Sequence, residues 1–152
     1  MFELKHLESC REDNRLEAKR AIGGLPVSIW ETYSAFANSQ GGVILLGVEE
    51  YRDHSLHPVD LPDPSGILQD FWRGLNNRDW VSANLLRDED VQEVTLEGKH
   101  IIVIHVPQAF GSAYPIYLGR NPLVGTYYRS GEGDFRCSPE EVHTMQSLGR
   151  NP

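Results

Sequence analysis

The chain is poor in the features that mark several large protein classes. It has two cysteines, Cys10 and Cys137, without the spacing of a metal-binding pair, so neither a disulfide framework nor a cysteine zinc site is expected. No apolar run approaches the roughly 20 residues that span a bilayer. Met1 to Glu12 is charged and lacks the apolar centre of a signal peptide. These absences predict a cytoplasmic protein with no membrane partner. No Gly-x-x-x-x-Gly-Lys-Ser/Thr loop occurs, which argues against a phosphate-cradling NTPase site. Ser130 lies in Arg-Ser-Gly-Glu-Gly, which is not the Gly-x-Ser-x-Gly elbow of a hydrolase. No repeat or low-complexity tract is present.

What is there describes one globular domain over 1–152. The length suffices to bury a core, and composition is ordinary, with 39% hydrophobic and 24% charged residues. Fourteen Lys plus Arg stand against twenty-two Asp plus Glu, a formal charge of −8, whereas a generic phosphate-binding domain is basic overall or on one face. Eleven of the fourteen cations are Arg. That bias suits bidentate contacts to phosphate or carboxylate, and serves equally for ion pairs with the many acids.

Along the chain, Leu16 and Ala18 alternate with charged neighbours, as in a short strand with one wet face. Gly23-Gly24 breaks the chain and Pro26 suits a first helical turn. Ile29, Trp30, Tyr33, Phe36 and Ala37 then form one helical face, ending over Asn38 to Gly42. The run Val43 to Val48 reads as a strand buried on both faces. Residues 51–64 read as a loop, and Gly66 to Asn76 as a second helix. Val91–Leu96 and His100–Val106 flank a Glu97-Gly98 turn as a hairpin, with a bulge where alternation breaks. Pro115–Leu118 and Thr126–Arg129 read as short strands. Ser138, Pro139 and Glu141 form a helix start. Asn38 is expected to cap the helix or bridge its end to the Gly41-Gly42 turn. The whole predicts an α+β domain, one mixed sheet with flanking helices.

Three acids carry the sharpest chemical hypothesis. Glu12 and Glu17 flank a charged segment, and Glu50 follows the buried strand. Strand ends are where sites are commonly built. If the three converge, their carboxylates suit Mg²⁺ or Mn²⁺ and metal-assisted phosphodiester chemistry. The plainer alternative is three separate solvated acids. Six histidines are scattered, with no third His or Cys at ligand spacing of His54 and His57, so zinc is not expected. Gly41-Gly42 is either a turn or a backbone approach to phosphate. On the strand of Tyr127, Tyr128 and Arg129, either an aromatic and the Arg stack and grip a nucleotide, or Tyr128 packs in the core with Arg129 paired to an acid.

The order of these pieces resembles the Schlafen AlbA_2 domain over about residues 8–147. The matching elements are Glu12, then Leu16-Glu17-Ala18-Lys19, Ser34-Ala35-Phe36-Ala37-Asn38, Gly41-Gly42 and Gly47-Val48-Glu49-Glu50. They continue with Val106-Pro107, Pro115-Ile116-Tyr117, Tyr127-Tyr128-Arg129-Ser130-Gly131 and Glu140-Glu141. In bacteria the resemblance implies a DNA-binding or RNA-binding domain, the N-terminal part of a longer transcriptional regulator or a stand-alone copy. Arg15, Lys19, Arg20, Tyr127 and Arg129 are then the expected contacts. In vertebrates a related domain is a nuclease for tRNA and rRNA using three acids, which fall on Glu12, Glu17 and Glu50 with Mg²⁺ or Mn²⁺ as the implied metal. The third of these is Asp there and Glu here. The resemblance also implies a homodimer, since Schlafen cores contain two such lobes facing each other. Three functions follow as alternatives: a nucleic-acid-binding domain without a cofactor, a metal-dependent endoribonuclease, and a protein-interaction or ligand-sensing domain.

Overall fold

The apolar run that begins after Gly41 becomes the spine of a mixed sheet. In the computed structural model, which describes residues 4–150, β1 (Leu16–Lys19) pairs in parallel with β2 (Gly42–Leu46). The next two strands are β3 (Val48–Glu50) and β4 (Leu56–Pro58), a small antiparallel pair of their own. The hairpin β5 (Val91–Leu96) and β6 (Lys99–Val106) completes the main sheet in the order β1-β2-β6-β5. β2 and β6 are therefore central, and the pleat sends their residues alternately to two cores. Ile44, Leu46, Ile102 and Ile104 pack under α1 (Ile29–Ala37) and α2 (Pro64–Leu75). Leu45, Ile101 and Val103 pack on the other face with Leu7, Leu16, Val48 and Leu56. A strand with a core on each side has to be apolar throughout, as 43–46 is.

α1 is buried almost all round, not along one stripe. Its polar residues turn away from water too: Thr32 bonds Asp134 at 2.7 Å and Ser34 bonds the Ile116 carbonyl at 2.8 Å. The elements covering that side are the hairpin β7 (Tyr127–Ser130) and β8 (Gly133–Arg136) and the segment around Ile116. A single turn, α3 (Pro122–Gly125), precedes β7, and α4 (Pro139–Arg150) follows β8. α4 opens on the expected capping box: Glu141 N–H donates to Ser138 Oγ at 3.1 Å and Ser138 N–H to the Glu141 carboxylate at 2.7 Å.

Several expectations need correction. The apolar run is not one strand, because it breaks at Gly47, whose φ of +85° suits glycine and where a Cβ would meet Leu61 at 2.8 Å. Glu50 thus follows β2, as expected, but as the last residue of a separate strand, β3. Residues 51–64 include β4. The β5–β6 hairpin has no bulge: Val91↔Ile104 through Leu96↔Lys99 is continuous, and Glu97 and Gly98 both take positive φ, as a tight two-residue turn requires. Alternation breaks because Val91 serves one core while Val94 and Leu96 serve the other. The 115–118 segment forms only single bridges, Val81↔Leu118 and Tyr117↔Thr126. The peptide groups of Ile116 are taken by Asn38, which accepts from Ile116 N–H at 2.7 Å and donates to the Ile116 and Tyr127 carbonyls. Asn38 caps the C-terminus of α1, as expected, and its side chain joins α1 to β7 and not to the Gly41-Gly42 turn.

Gly41 explains the turn. Its φ is +73°, and a Cβ would stand 2.7 Å from the Val106 carbonyl oxygen. Its N–H is spent on the Phe36 carbonyl at 2.8 Å, which favours the turn reading over an approach to phosphate.

Phe36 is wholly buried between the sheet and β7. Phe36→Ala is expected to cost roughly 3–5 kcal/mol. Chemical denaturation checks this, and a midpoint equal to wild type would contradict the packing described.

Candidate functional site

β1 is an edge strand, and its free side is closed by side chains. Glu12 folds back so that its carboxylate accepts from Ala18 N–H at 2.8 Å. From the other direction Arg129 reaches out of β7. Its guanidinium donates to the Asp13 carbonyl at 2.8 and 3.1 Å, to the Leu16 carbonyl at 3.2 Å, to Glu17 at 3.0 Å and to Asp134 at 2.8 Å. It also lies 4.9 Å from the Phe36 ring centroid. Its side chain has 0% exposure. Each donor is matched, which is the condition under which a buried charge is tolerated.

This clamp brings the β7–β8 turn to the end of β1. Glu12, Glu50 and Glu132 each place a carboxylate oxygen there, all within 4.8 Å of one another. Glu12 comes from the segment before β1, Glu50 from the end of β3, and Glu132 from the turn Gly131-Glu132, where Gly131 has φ +57°. The Glu12 carboxyl is pushed up to about 8. Burial is the main cause, joined by the negative charges of Glu17 and Glu50 and a hydrogen bond with Glu50, and opposed by the Ala18 N–H.

Glu17 stands beside this cluster and not within it. Its charge is felt at Glu12, but its own carboxylate faces Arg129 at 3.0 Å and Lys19 at 3.8 Å. Glu132 takes the place that the sequence assigned to Glu17. Its only sequence signal was the Gly-Glu-Gly at 131–133, where a turn lifts a carboxylate between two strands.

The donor set is all carboxylate oxygen, the class that Mg²⁺ and Mn²⁺ accept. Two oxygens on one Mg²⁺ at roughly 2.0–2.1 Å lie at most about 4.2 Å apart. The three oxygens lie within 4.8 Å of one another, close to that limit, and Glu50 and Glu132 are exposed. Glu12 keeps one oxygen on Ala18 N–H, which fixes its carboxylate in place.

Of the expected nucleic-acid contacts, Arg129 needs correction, because its guanidinium is enclosed and every donor is used internally. Lys19 is also largely enclosed, with Nζ 3.0 Å from Ser28 Oγ. Tyr127 is half-buried, with the Arg136 guanidinium 6.0 Å from its ring centroid. Arg20 is exposed and pairs with Glu49 at 3.3 Å. Arg15 is exposed on a separate open groove of about 700 Å³ at the start of β2, with Arg11, His105, Gln40 and Gln108 on its walls. Asp13 and Asp90 line the same groove, so it is mixed in charge. No helix among the described residues is long and apolar enough to cross a membrane, and Cys10 and Cys137 are free thiols.

The raised Glu12 carboxyl predicts a pH dependence. Below its ordinary value of 4.5 the group is protonated whether the chain is folded or not. Between 4.5 and about 8 the unfolded chain releases the proton while the folded chain keeps it, so stability falls as pH rises; above about 8 the penalty is complete. Glu12→Gln removes this slope and retains an acceptor for Ala18 N–H. Its melting temperature is expected to gain on wild type steadily from pH 4.5 to about pH 8. A constant difference across that range would contradict the placement of Glu12.

Comparison with known proteins follows this geometry. The chain resembles the N-terminal domain of an ATP-dependent DNA helicase RecG-related protein from Nitrosomonas europaea, solved in solution, with 34% identity over 88% of this chain and 90% of that one at a TM-score of 0.65. It shares its fold with part of the DIP2311 protein from Corynebacterium diphtheriae, at 16% identity and a TM-score of 0.50, covering 90% of this chain and 24% of that one. No functionally curated protein matches it in sequence. The family profile "Schlafen, AlbA_2" matches residues 12–138, from the first clustered carboxylate to the cap of α4. The chain belongs to the Schlafen AlbA_2 family.

Proposed function

We propose that this domain binds nucleic acid, and that it meets the phosphodiester backbone through a divalent cation held by Glu12, Glu50 and Glu132. The observation that carries the reading is the convergence of those three carboxylates within 4.8 Å, with one of them pushed up to about 8. A chain of net charge −8 gains little from direct attraction to phosphate. A cation between the acids and a phosphate reverses that local repulsion. Membership of the AlbA_2 family and likeness to a domain named for its relation to a DNA helicase support the same partner class.

Glu12 would hold the ion from the segment before β1, Glu50 from β3 and Glu132 from the β7–β8 turn. Bound there, Mg²⁺ or Mn²⁺ would neutralise a phosphate oxygen and polarise its P–O bonds. Glu17 is paired to Arg129 and Lys19, and its remaining charge adds to the field at Glu12. Arg15, Arg20 and Tyr127 are the exposed or half-exposed residues left for further contacts. In the setting that the family implies, such a domain serves a bacterial transcriptional regulator, and two copies paired about a two-fold axis would face their sites across one groove.

A second reading, a metal-dependent endoribonuclease, has its own support: Glu12 and Glu50, two of the three acids that the resemblance marks, converge, and the charge of the third, Glu17, reaches Glu12. The two readings part in one experiment. Labelled tRNA and duplex DNA are incubated with the full chain in Mn²⁺ or in a chelator. Binding is expected in Mn²⁺ and lost in the chelator and in Glu50→Gln. Cut tRNA would favour the nuclease, intact bound nucleic acid the non-enzymatic domain. Equal binding with and without Mn²⁺ would overturn the role of the cation, and no binding at all would overturn the proposal. Sedimentation of the same samples reads the pairing, with a dimer expected and a monomer at high micromolar concentration against it.

A further inference from the structure

We propose that a cavity walled by Trp30 and Trp80 takes up an unpaired nucleobase, an inference that rests on the reading that this domain binds nucleic acid. The cavity, of about 230 Å³, lies between the segment before α1 and the C-terminal half of α2 with the turn after it. That is below the roughly 300–1,000 Å³ of pockets for drug-sized ligands and suits a single ring system. Leu25, Pro26 and Val27 give it apolar lining, and the two indoles give it aromatic lining. The indole planes meet at 72° with centroids 6.0 Å apart. Such a corner takes a flat ring stacked on one indole and edge-on to the other, the two favoured aromatic arrangements.

The fold sets the position of both indoles. Trp30 is nearly buried and stacks parallel on Phe71 with centroids 5.6 Å apart, so its ring is fixed. Trp80 is 51% exposed although its turn is held. Its N–H donates to the Asn77 carbonyl and its carbonyl accepts from Gly119 N–H, both at 2.9 Å. The Arg78 guanidinium donates to the Leu75 and Val81 carbonyls at 3.1 Å. Val27, which lines the same cavity, is 85% exposed. Large apolar side chains left in water together, bordered by polar ones, mark a binding surface. Gly74 makes the room: a Cβ there would run into the Trp30 ring and stand 3.0 Å from the Trp80 ring.

The polar groups at the border select the kind of ring. Asp70 and Arg73 pair at 3.1 Å, so their charges cancel and the cavity favours a neutral occupant. Asn77 spends its side-chain carbonyl on Asp79 N–H at 2.9 Å and keeps its NH₂ as a donor. A neutral flat ring with donors and acceptors along its edge is the chemistry of a nucleobase. In a duplex those edges and faces are already covered, so the base must be unpaired. Ser28, next in the chain to Val27, receives Lys19 Nζ at 3.0 Å, and Lys19 pairs with Glu17 at 3.8 Å beside the clustered acids. A single strand that meets the cation with its backbone then has the cavity beside it for a base.

The test compares single-stranded oligo(dT) with an abasic strand of the same length, in Mn²⁺, by anisotropy of labelled strands and by tryptophan fluorescence of the full chain. The two strands share a backbone and differ only in their bases. Wild type is expected to bind oligo(dT) about tenfold more tightly than the abasic strand, with quenching of the indoles. Trp80→Ala is expected to lose that preference and Trp80→Phe to keep most of it, with abasic binding the same in all three. Equal binding of the two strands by wild type would overturn the base site and leave backbone binding standing. Equal losses for both strands in Trp80→Ala would likewise overturn it, since Trp80 would then act on the fold. Quenching by a proline-rich peptide and not by oligo(dT) would assign the cavity to a peptide and overturn the proposal. A wild-type chain that binds neither strand nor duplex DNA would overturn the nucleic-acid reading itself, and this inference with it.

Discussion

A guanidinium with no exposed surface holds the parts of this domain in relation to one another. Arg129 joins the β7–β8 hairpin to the edge strand β1 through two backbone carbonyls and to the acids Glu17 and Asp134, while its flat face covers Phe36. Breaking a buried pair of this kind by removing one partner typically costs about 3–5 kcal/mol, because the other is left uncompensated. Lysine would not serve, since one ammonium cannot present parallel donors to carbonyls and carboxylates on two sides. Asp134 passes the connection on to Thr32 in α1. Through Asn38 the same helix also grips the Ile116 segment and β7. The hairpin, the edge strand and the central helix are thus one polar-bonded unit laid over an apolar core.

That unit sorts the acids. Glu17 is neutralised where it stands, by Arg129 and Lys19. Glu12, Glu50 and Glu132 are brought to the same end of β1, and their crowding, together with burial, shows in the carboxyl of Glu12, pushed up to about 8. A fold built only for stability gains nothing from gathering two further acids around a half-buried one. A site that receives a divalent cation needs that arrangement, since the ion supplies the charge that the protein withholds. Overall acidity then ceases to argue against a polyanionic partner.

Much of this was legible in the sequence, for identifiable reasons. β2 and β6 announce themselves because a strand between two cores must be apolar on both faces. The capping box of α4 is local chemistry and needs no tertiary context. Glu12 and Glu50 could be named because the AlbA_2 resemblance marks their positions, and the structure brings their carboxylates together. Glu132 could not be, since nothing local distinguishes a glutamate in a turn from any solvated acid until a hairpin carries it there. The polar residues of α1 were equally opaque. Nothing local marks Thr32 and Ser34 as buried, and only the distant hairpin and the Ile116 segment turn their side of the helix into an interior. Arg129 was ambiguous for the same reason: its burial depends on partners more than 100 residues away in the chain.

The central claim, that Glu12 lies in a carboxylate cluster made for a cation, is tested most directly at its own carboxyl carbon. Carbon-13 NMR of the side-chain carboxyls, titrated without metal, reads the protonation of Glu12. The account predicts a transition near pH 8 that moves down when Mg²⁺ is added. A Glu12 carboxyl that titrates at its ordinary 4.5 and ignores Mg²⁺ would contradict it.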